Sequence, residues 1–418
     1  RSFWYFAPFM ATLTLLLIFY LNFKYGYSQS VDAVSDAREV RDRDYFFIVS
    51  FSAWGVWASL GLIFLWEALA AMIGSERVKV GKETLDLPTR QSWLVSSPIL
   101  AFALVPLITN WHAASRHGQT DTRDVAADML NSVEPYGIIV TAGDNDTFPL
   151  WYAQEVEGIR KDVTIANTSL LNTDWYTRQI IRRPIYEYDA EHGPAIYKGK
   201  QWAKPTEPVL KMSIAQSDAV QPYYQLTQPQ VFKQGTIEAT LPPQNLFRSD
   251  FLVLQMIHDS YPQRPMYFAV STANSLDNLG LNGYLLQQGL ARKLLPQRVT
   301  PGRDTVALPG QSFLDLPRTK TLWNDVFLGP KSLVRRGDWV DKASISIPYM
   351  YISTGLALYE AEQQVGDTSA AKQTLQTVEK IANAVGLGQI VQQAVPPVRQ
   401  APAADKPLPI FDSSKKKP

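Results

Sequence analysis

The sequence predicts a membrane-anchored protein of α and α/β parts. It would have three transmembrane helices, an extracytoplasmic α/β domain with a small, mostly parallel sheet, and a C-terminal helical hairpin. Three long apolar runs fill the first quarter of the chain, at residues 3–23, 46–73 and 94–111. Each is about long enough to cross a hydrocarbon core as a helix, which needs roughly 20 apolar residues. Between residues 122 and 271, β-branched segments alternate with helical ones, as in βαβ units around a parallel sheet.

The composition of the 418 residues excludes several classes of protein. The net charge is +1 and no long basic stretch with interleaved aromatics occurs, which argues against a nucleic-acid partner. The chain contains no cysteine, so disulfides, thiolate metal sites and a cysteine nucleophile are excluded. Its four histidines lack metal spacing, and no glycine-rich phosphate loop occurs. We expect no cofactor, and the pattern leaves open whether a metal ion binds.

The charges beside the three spans bear on their orientation. The connectors 24–44 and 74–92 each carry four basic residues, so the positive-inside rule does not separate them. Five acidic residues offset the basic charge of the first connector, and Arg1 precedes the first span. We therefore expect the 74–92 connector in a bacterial cytoplasm. The domain after His112 would then lie on the periplasmic side of the inner membrane, with the lipid bilayer as its first partner.

The α/β domain is predicted to occupy residues 112–300. Apolar residues at helical spacing, such as Val125, Met129 and Leu130, indicate helices, and short β-branched runs indicate strands. The predicted helices span residues 122–134, 148–157, 174–183, 249–261 and 279–295. The predicted strands span residues 137–142, 162–168 and 265–271. We expect the three strands to share one sheet.

The rest of the sequence is predicted to form three further parts: a membrane anchor, a C-terminal helical part and a tail. Residues 1–111 are predicted to be the membrane anchor and residues 301–388 a C-terminal helical part with a hairpin at 346–385. The second half of that hairpin resembles a tetratricopeptide-repeat helix, although a single copy does not normally stand alone. Residues 389–418 are rich in Pro, Ala and Gln and end in a lysine run, which predicts a disordered tail.

A long stretch without helical or strand period, residues 184–245, interrupts the α/β domain. Segments of this length without regular structure are commonly functional excursions or wrapping arms. Tyr and Trp dominate binding hot spots, so we expect this arm to contact other membrane-protein subunits. The alternative is that its rings pack back onto the α/β domain. The interface candidates are Tyr186, Tyr188, Trp202, Tyr223 and Tyr224.

Two polar motifs follow the first two predicted strands. Asp144, Asn145 and Asp146 come directly after the strand at 137–142, and Asn172 and Asp174 follow the strand at 162–168. Ligands of open α/β sheets bind at this carboxyl edge, where carboxylates could hold a divalent cation or sugar hydroxyls. The structural interpretation is stronger, because Asp146 or Thr147 would be an ordinary helix N-cap.

A third charged motif lies immediately before the second span. Arg38, Arg41 and Arg43 alternate with acidic residues there, and arginine forms bidentate contacts with phosphate groups. These three residues are candidates for contact with an anionic headgroup or a lipid diphosphate. A charged collar that fixes the depth of the span is an equally good explanation.

Three strings carry a family resemblance: RDRDY at 41–45, GDNDTFPLWYAQE at 143–155 and NTSLLNTDWY at 167–176. They resemble a bacterial multi-spanning membrane family related to the transmembrane protein O-mannosyltransferase. The resemblance covers residues 25–186 well and the C-terminal part loosely. It implies a membrane glycosyltransferase architecture that uses a lipid-linked sugar.

The chain also departs from that family. The resemblance implies many spans and a catalytic acid in the first outer loop, whereas this chain has three spans and its connector 24–44 corresponds to a late loop. We expect no catalytic residue in the chain as it stands. Two functions remain open: a structural subunit of a larger membrane complex, or the C-terminal portion of a glycosyltransferase. The upstream reading frame would separate them.

Overall fold

The structure is a computed structural model that describes residues 2–23, 44–81, 83–272, 278–309, 312–339 and 344–395. The chain divides into two compact units. The described residues of the N-terminal unit run to Gly118, and the α/β unit begins at Gln119.

The N-terminal unit contains the three predicted spans, confirmed as long apolar helical segments at Phe3–Tyr20, Ile48–Ile73 and Arg90–Ala114. Only the second is a single regular helix. Prolines interrupt the other two, because proline donates no backbone hydrogen bond and clashes with the preceding turn. The segments are α1 (Ser2–Ala11), a π-helical turn (Thr12–Leu16), α2 (Leu17–Phe23), α3 (Ile48–Ile73), α4 (Arg90–Ser96), a 3₁₀ segment (Ser97–Leu104) and α5 (Val105–Ala114).

Contacts of aromatic side chains join these helices. The rings of Phe6 and Trp57 stack with centroids 3.7 Å apart, and those of Trp66 and Trp93 meet edge to face at 4.4 Å. The Trp66 indole also donates a hydrogen bond of 3.1 Å to the Trp93 carbonyl. Between α3 and α4 the chain forms an exposed antiparallel hairpin, β1 (Ser75–Val80) and β2 (Glu83–Pro88).

The α/β unit is built on a seven-stranded sheet with strand order β12-β13-β10-β11-β9-β3-β4. Strands β9, β3 and β4 are parallel, and each is buried along its whole length, as expected for strands covered on both faces. The strands of this sheet are β3 (Ile138–Thr141), β4 (Thr164–Asn167), β9 (Met266–Ala269), β10 (Leu285–Gln288), β11 (Ala291–Leu294), β12 (Thr305–Leu308) and β13 (Ser312–Asp315).

The prediction of a small, mostly parallel sheet is wrong, because four more strands extend it and most of their pairings are antiparallel. The predicted helix at 279–295 is instead the hairpin of β10 and β11. Gly289 sits at its turn with a positive φ of 64°, a conformation that glycine adopts without strain. Leucine-rich segments have high helix propensity, and here pairing with β9 and β13 outweighs it.

The irregular arm is also more ordered than predicted. Two small antiparallel pairs lie in its second half, where Tyr223 pairs with Phe247 and Gln234 with Ile237. The prolines and glutamines of this region mask the short period-2 runs from which strands are recognised. The strands are β5 (Tyr223–Leu226), β6 (Gln230–Gln234), β7 (Ile237–Leu241) and β8 (Gln244–Phe247).

Helices cover both faces of the large sheet, so the α/β unit has three layers. Ile139, Ile165 and Tyr267 share one core with α6, α7 and the C-terminal helices. Ile138 and Phe268, on the opposite face, share a second core with α9 and α11. The helices are α6 (Asp121–Ser132), α7 (Asp144–Glu155), α8 (Thr168–Leu171), α9 (Asp174–Arg182), α10 (Ile214–Asp218), α11 (Arg248–Ser260), α12 (Leu316–Thr321), α13 (Gly329–Arg336), α14 (Ser346–Gln364), α15 (Thr368–Ala384) and α16 (Gly388–Ala394).

The predicted C-terminal hairpin is present as α14 and α15, which pack on the first core. The side chain of Asp128 joins this C-terminal region to α6. Its carboxylate accepts hydrogen bonds from the backbone N–H groups of Leu328 and Gly329, at the start of α13, and from the hydroxyl of Tyr351 on α14. The carboxylate therefore supplies the cap that a helix N-terminus needs.

Candidate functional site

The carboxyl ends of β3, β4 and β9 form the predicted polar edge. The three strands are parallel, and β3 lies between the other two, so their ends meet. The chain leaves the neighbouring strands β3 and β4 toward opposite faces of the sheet: α7 follows β3 on the first face, and α9 follows β4 on the second. This arrangement is a topological switch point, where open α/β sheets bind ligands.

Asp146 occupies the centre of this edge. The side chain is buried, and its oxygens accept hydrogen bonds from the backbone N–H groups of Ala142 at 3.0 Å and Gly143 at 2.9 Å. The hydroxyls of Thr147 and Ser271 donate to the same carboxylate. Asp146 therefore joins the end of β3 to the segment that follows β9, and four donors engage its two oxygens.

The end of β4 is fastened to the same point. The amide of Asn167 donates to the Thr147 hydroxyl at 2.7 Å, and its oxygen accepts from the N–H of Leu170, which caps α8. The Thr141 hydroxyl lies 2.7 Å from that of Thr147, and Ser169 donates to the Ala142 carbonyl at 2.9 Å. Buried polar groups that satisfy one another in this way hold the strand ends in one geometry.

The other predicted residues of the edge divide into two groups. Asp144 and Asn145 are exposed at the first turn of α7, and the Asn145 amide donates to the Ser346 hydroxyl at 3.3 Å. Asn172 and Asp174 turn toward the start of α11 instead. Asn172 accepts from the N–H of Ser249 at 3.1 Å, and Asp174 pairs with the buried guanidinium of Arg248.

The described residues contain no group of three or more His, Asp or Glu side chains placed to hold a metal ion. At the edge, the buried carboxylate of Asp146 is engaged by internal donors, and Asp144 stands beside it in solvent. The edge is thus built as a structural clamp with two exposed polar side chains at its rim.

The aromatic candidates of the arm are mostly packed onto the α/β unit. Tyr186 lies between the cations of Lys161 at 4.9 Å and Arg183 at 5.3 Å from its ring centroid. Tyr188 is buried against Arg160.

The remaining three rings differ in exposure. Trp202 meets Tyr197 edge to face at 5.8 Å, and Tyr224 packs on Phe251 at 5.4 Å. Tyr223 is 54% exposed. This packing favours a structural role for four of the five rings. The arginine candidates Arg38, Arg41 and Arg43 lie outside the described residues.

A polar cavity of about 540 Å³ was not predicted. It lies between the residues that follow α6, the arm near residue 196, and strands β10, β12 and β13. Both signs of charge line it, and its charged or amide residues are Glu134, Lys200, Gln288, Asp304, Asp315 and Arg318.

A partly buried ionic network lies at one wall of this cavity. Lys293 donates to both oxygens of Glu134 at 2.7 Å, and an Arg318 nitrogen lies 3.7 Å from the same carboxylate. Arg318 also donates to the Tyr197 hydroxyl at 2.7 Å. Burial raises the pKa of Tyr197 to about 12, so its hydroxyl stays neutral and donates to the Asn131 carbonyl. Lys293 and Tyr197 therefore fix the positions of Glu134 and Arg318, the two charged residues that this network presents to the cavity.

Sequence reasoning missed this cavity because its residues are scattered along the chain. Glu134 and Lys293 are separated by 159 positions and Tyr197 and Arg318 by 121. No local motif links them. The one available signal was a glutamate placed just before a buried strand, which is a common and unspecific pattern.

Residues 122–234 and 227–308 match the family described as TMEM260-associated domain 2. Together the two segments run from α6 to β12 and account for less than half of the 418 residues. No curated protein and no solved structure matches the chain. Residues 122–308 of this chain are therefore related to the TMEM260 family.

Proposed function

We propose that this protein is a membrane-anchored structural subunit of a larger membrane complex and a non-catalytic relative of glycosyltransferases. Its α/β unit would lie on the extracytoplasmic side, in a bacterium on the periplasmic side of the inner membrane. Its partners would be the lipid bilayer and other membrane-protein subunits.

The state of Asp146 carries this proposal. A catalytic carboxylate must reach a substrate, and a metal-binding one needs free lone pairs. Asp146 is 5% exposed and accepts from Ala142, Gly143, Thr147 and Ser271. Its hydrogen bonds serve the fold, which supports a scaffold rather than an acid–base centre at this edge.

The spans also support association with other subunits. Ser52, Gly55 and Ser59 fall on one side of α3, at the spacing of neighbouring turns, and a Cβ at Gly55 would meet nothing within 4 Å. Small residues let helices approach closely in a bilayer. This side of α3 can therefore accept a span from another subunit.

Purification in mild detergent tests the scaffold. The wild-type chain should co-purify with other membrane proteins, and Gly55→Leu should release them while the melting temperature of the α/β unit stays unchanged. Val56→Leu, on a neighbouring exposed position of the same helix, is the matched control and should retain the partners. A wild-type chain that purifies alone, or partner binding that survives Gly55→Leu, would count against the proposal.

The alternative is the C-terminal portion of a protein O-glycosyltransferase that uses a lipid-linked sugar. The relation to the TMEM260 family favours it, and the mixed-charge cavity beside Glu134 and Arg318 offers hydrogen-bonding groups for a sugar. The wild-type chain should transfer no sugar from a polyprenyl-phosphate donor to an acceptor peptide. Turnover that disappears in Asp144→Asn or in Glu134→Gln would overthrow the scaffold and make the corresponding site catalytic.

A further inference from the structure

Helix α7 carries an exposed apolar stripe, which we define as Phe148, Tyr152 and Val156. The three residues are 50%, 45% and 69% exposed. They follow one another at intervals of four, so they lie on the same side of the helix and its C-terminal end. The opposite side of α7, with Leu150 and Ala153, is buried in the first core.

The stripe continues into a series of aromatic rings. Phe148 contacts Trp151 at 5.5 Å, Trp151 contacts the buried Tyr176 at 6.0 Å, and Tyr176 contacts Trp175 at 5.5 Å. Trp175 at the far end is 54% exposed. Buried rings thus support exposed ones, so the exposed aromatics are held in place rather than left mobile.

One end of the stripe is fixed beside the start of α6. Glu157, which follows Val156, forms an ion pair of 2.7 Å with Arg123 in the first turn of that helix. The same carboxylate accepts a hydrogen bond from the Tyr152 hydroxyl. The ion pair with Arg123 therefore holds the C-terminal end of the stripe beside the first turn of α6.

Those first residues are tethered close to the bilayer by chain length. The third candidate span ends at Ala114, and α6 begins at Asp121, so six residues connect them. A chain of this length reaches at most about 25 Å when fully extended. The Val156 end of the stripe therefore lies next to the point where this connection joins α6.

We propose that the stripe, together with Trp175, docks on the surface of the bilayer that holds the three spans. Trp and Tyr form the aromatic belts of membrane interfaces, where the apolar ring enters the acyl boundary and the polar group remains hydrated. Phe148 and Val156 add apolar surface that can enter the same boundary. The neighbouring Asp144, Glu155 and Glu157 are acidic. The contact is consequently apolar and aromatic, and it does not depend on anionic lipid.

Single-cysteine labelling of the full-length chain tests this docking. The protein contains no cysteine, so Tyr152→Cys and Val156→Cys can each carry one environment-sensitive fluorophore. The labelled chains are placed in phosphatidylcholine nanodiscs, with and without lipids that bear a spin label near the headgroup. Val231→Cys and Val365→Cys, which are 55% and 48% exposed elsewhere in the α/β unit, are the matched controls.

Docking predicts a blue shift and loss of most of the fluorescence to the spin-labelled lipid at positions 152 and 156, with little change at the controls. Added phosphatidylglycerol should not alter the result. A reporter at Trp175→Cys should lose its quenching when Phe148, Tyr152 and Val156 are all changed to Ser, provided that the melting temperature is kept. Quenching equal to that of the controls would overturn the proposal. A blue shift without lipid quenching would also overturn it, because the stripe would then be covered by protein.

Discussion

The hydroxyl of Tyr351 lies 2.7 Å from Oδ2 of Asp128 and joins the C-terminal hairpin to the first helix of the α/β unit across 223 positions of sequence. The same carboxylate caps α13, so a single buried side chain connects three helices. Desolvation raises the pKa of Asp128 to about 7, although the Tyr351 hydroxyl and two backbone N–H groups favour the ionised form.

This pKa predicts a pH-dependent stability. The folded state binds the Asp128 proton more tightly than the unfolded state, whose pKa is near 3.8. The contribution of Asp128 to the free energy of unfolding should therefore fall as the pH rises from 4 to 7, by about 4 kcal/mol for a shift of this size.

Urea unfolding of wild type and Asp128→Asn across this range measures the effect. Other carboxylates titrate in both proteins, so the difference between the two profiles isolates Asp128. A difference that stays constant with pH would mean that Asp128 remains ionised in the folded protein.

At the carboxyl edge of the sheet, we expect Asp146 to matter far more for stability than its neighbour. Asp146→Asn places an amide N–H₂ among four donors, and unsatisfied buried groups of this kind cost about 2–4 kcal/mol. Asp144→Asn, at an exposed position two residues away, should leave the melting temperature unchanged. Equal melting temperatures for the two variants would show that Asp146 is not a clamp.

The buried ion pair of Arg160 and Asp162, at the opposite end of the sheet, should also be important for stability. Arg160 holds Asp162 with two hydrogen bonds of 2.9 and 3.0 Å, and Arg160→Met leaves an uncompensated buried charge. We expect a loss of about 3–5 kcal/mol, which the additional change Asp162→Asn should partly recover. Arg178→Met, in the exposed pair with Asp218, is the control and should have little effect. If Arg160→Met had an equally small effect, the pair of Arg160 and Asp162 would not be important for stability.

Two tyrosines of the arm separate packing from partner binding. Tyr188 is 8% exposed beneath the Arg160 guanidinium, so Tyr188→Ala should lower the free energy of unfolding by about 3 kcal/mol. Tyr223→Ala should keep the melting temperature and weaken retention in the membrane complex. If Tyr223→Ala left the protein bound in its membrane complex as tightly as wild type, Tyr223 would not contact a partner subunit.

Topology can be measured with an impermeant thiol reagent on intact cells. Lys372→Cys, at an exposed position of α15, and Ser35→Cys, in the first connector, should both be labelled. Glu83→Cys, in the exposed β1–β2 hairpin, should stay unlabelled until the membrane is opened. Labelling at position 83 alone would invert the expected orientation.

The elements that were predicted correctly are those whose structure follows from the residues of a short segment alone. The spans are continuous apolar runs, and Ile138–Thr141 and Met266–Ala269 are short runs buried on both faces, so both kinds were recognised correctly. The hairpin at 285–294 was predicted as a helix because its leucines satisfy either period, and only its partners β9 and β13 decide the outcome.

In the candidate site, too, the local contacts could be predicted from sequence and the distant ones could not. Asp146 or Thr147 was predicted to be the N-cap of this helix, but the N-cap is Gly143. Asp146 lies at the third helical position, and its carboxylate accepts from the Gly143 N–H. The donors from Thr147 and Ser271 required the fold, since Ser271 is 125 positions away. The cavity at Glu134 and Arg318 depends entirely on such distant pairs and could not be derived from sequence.

The hydrogen bond between Asp128 and Tyr351 forms late when the chain folds during its synthesis. Synthesis proceeds from the N-terminus, and α6 emerges long before α14. The first core includes residues as late as Val391, so the core that α6 joins is complete only when nearly all of the described chain has been synthesised. Contacts of such long sequence separation slow folding and expose intermediates. We therefore expect a fragment that stops at residue 308, where the family match ends, to be recovered as aggregate.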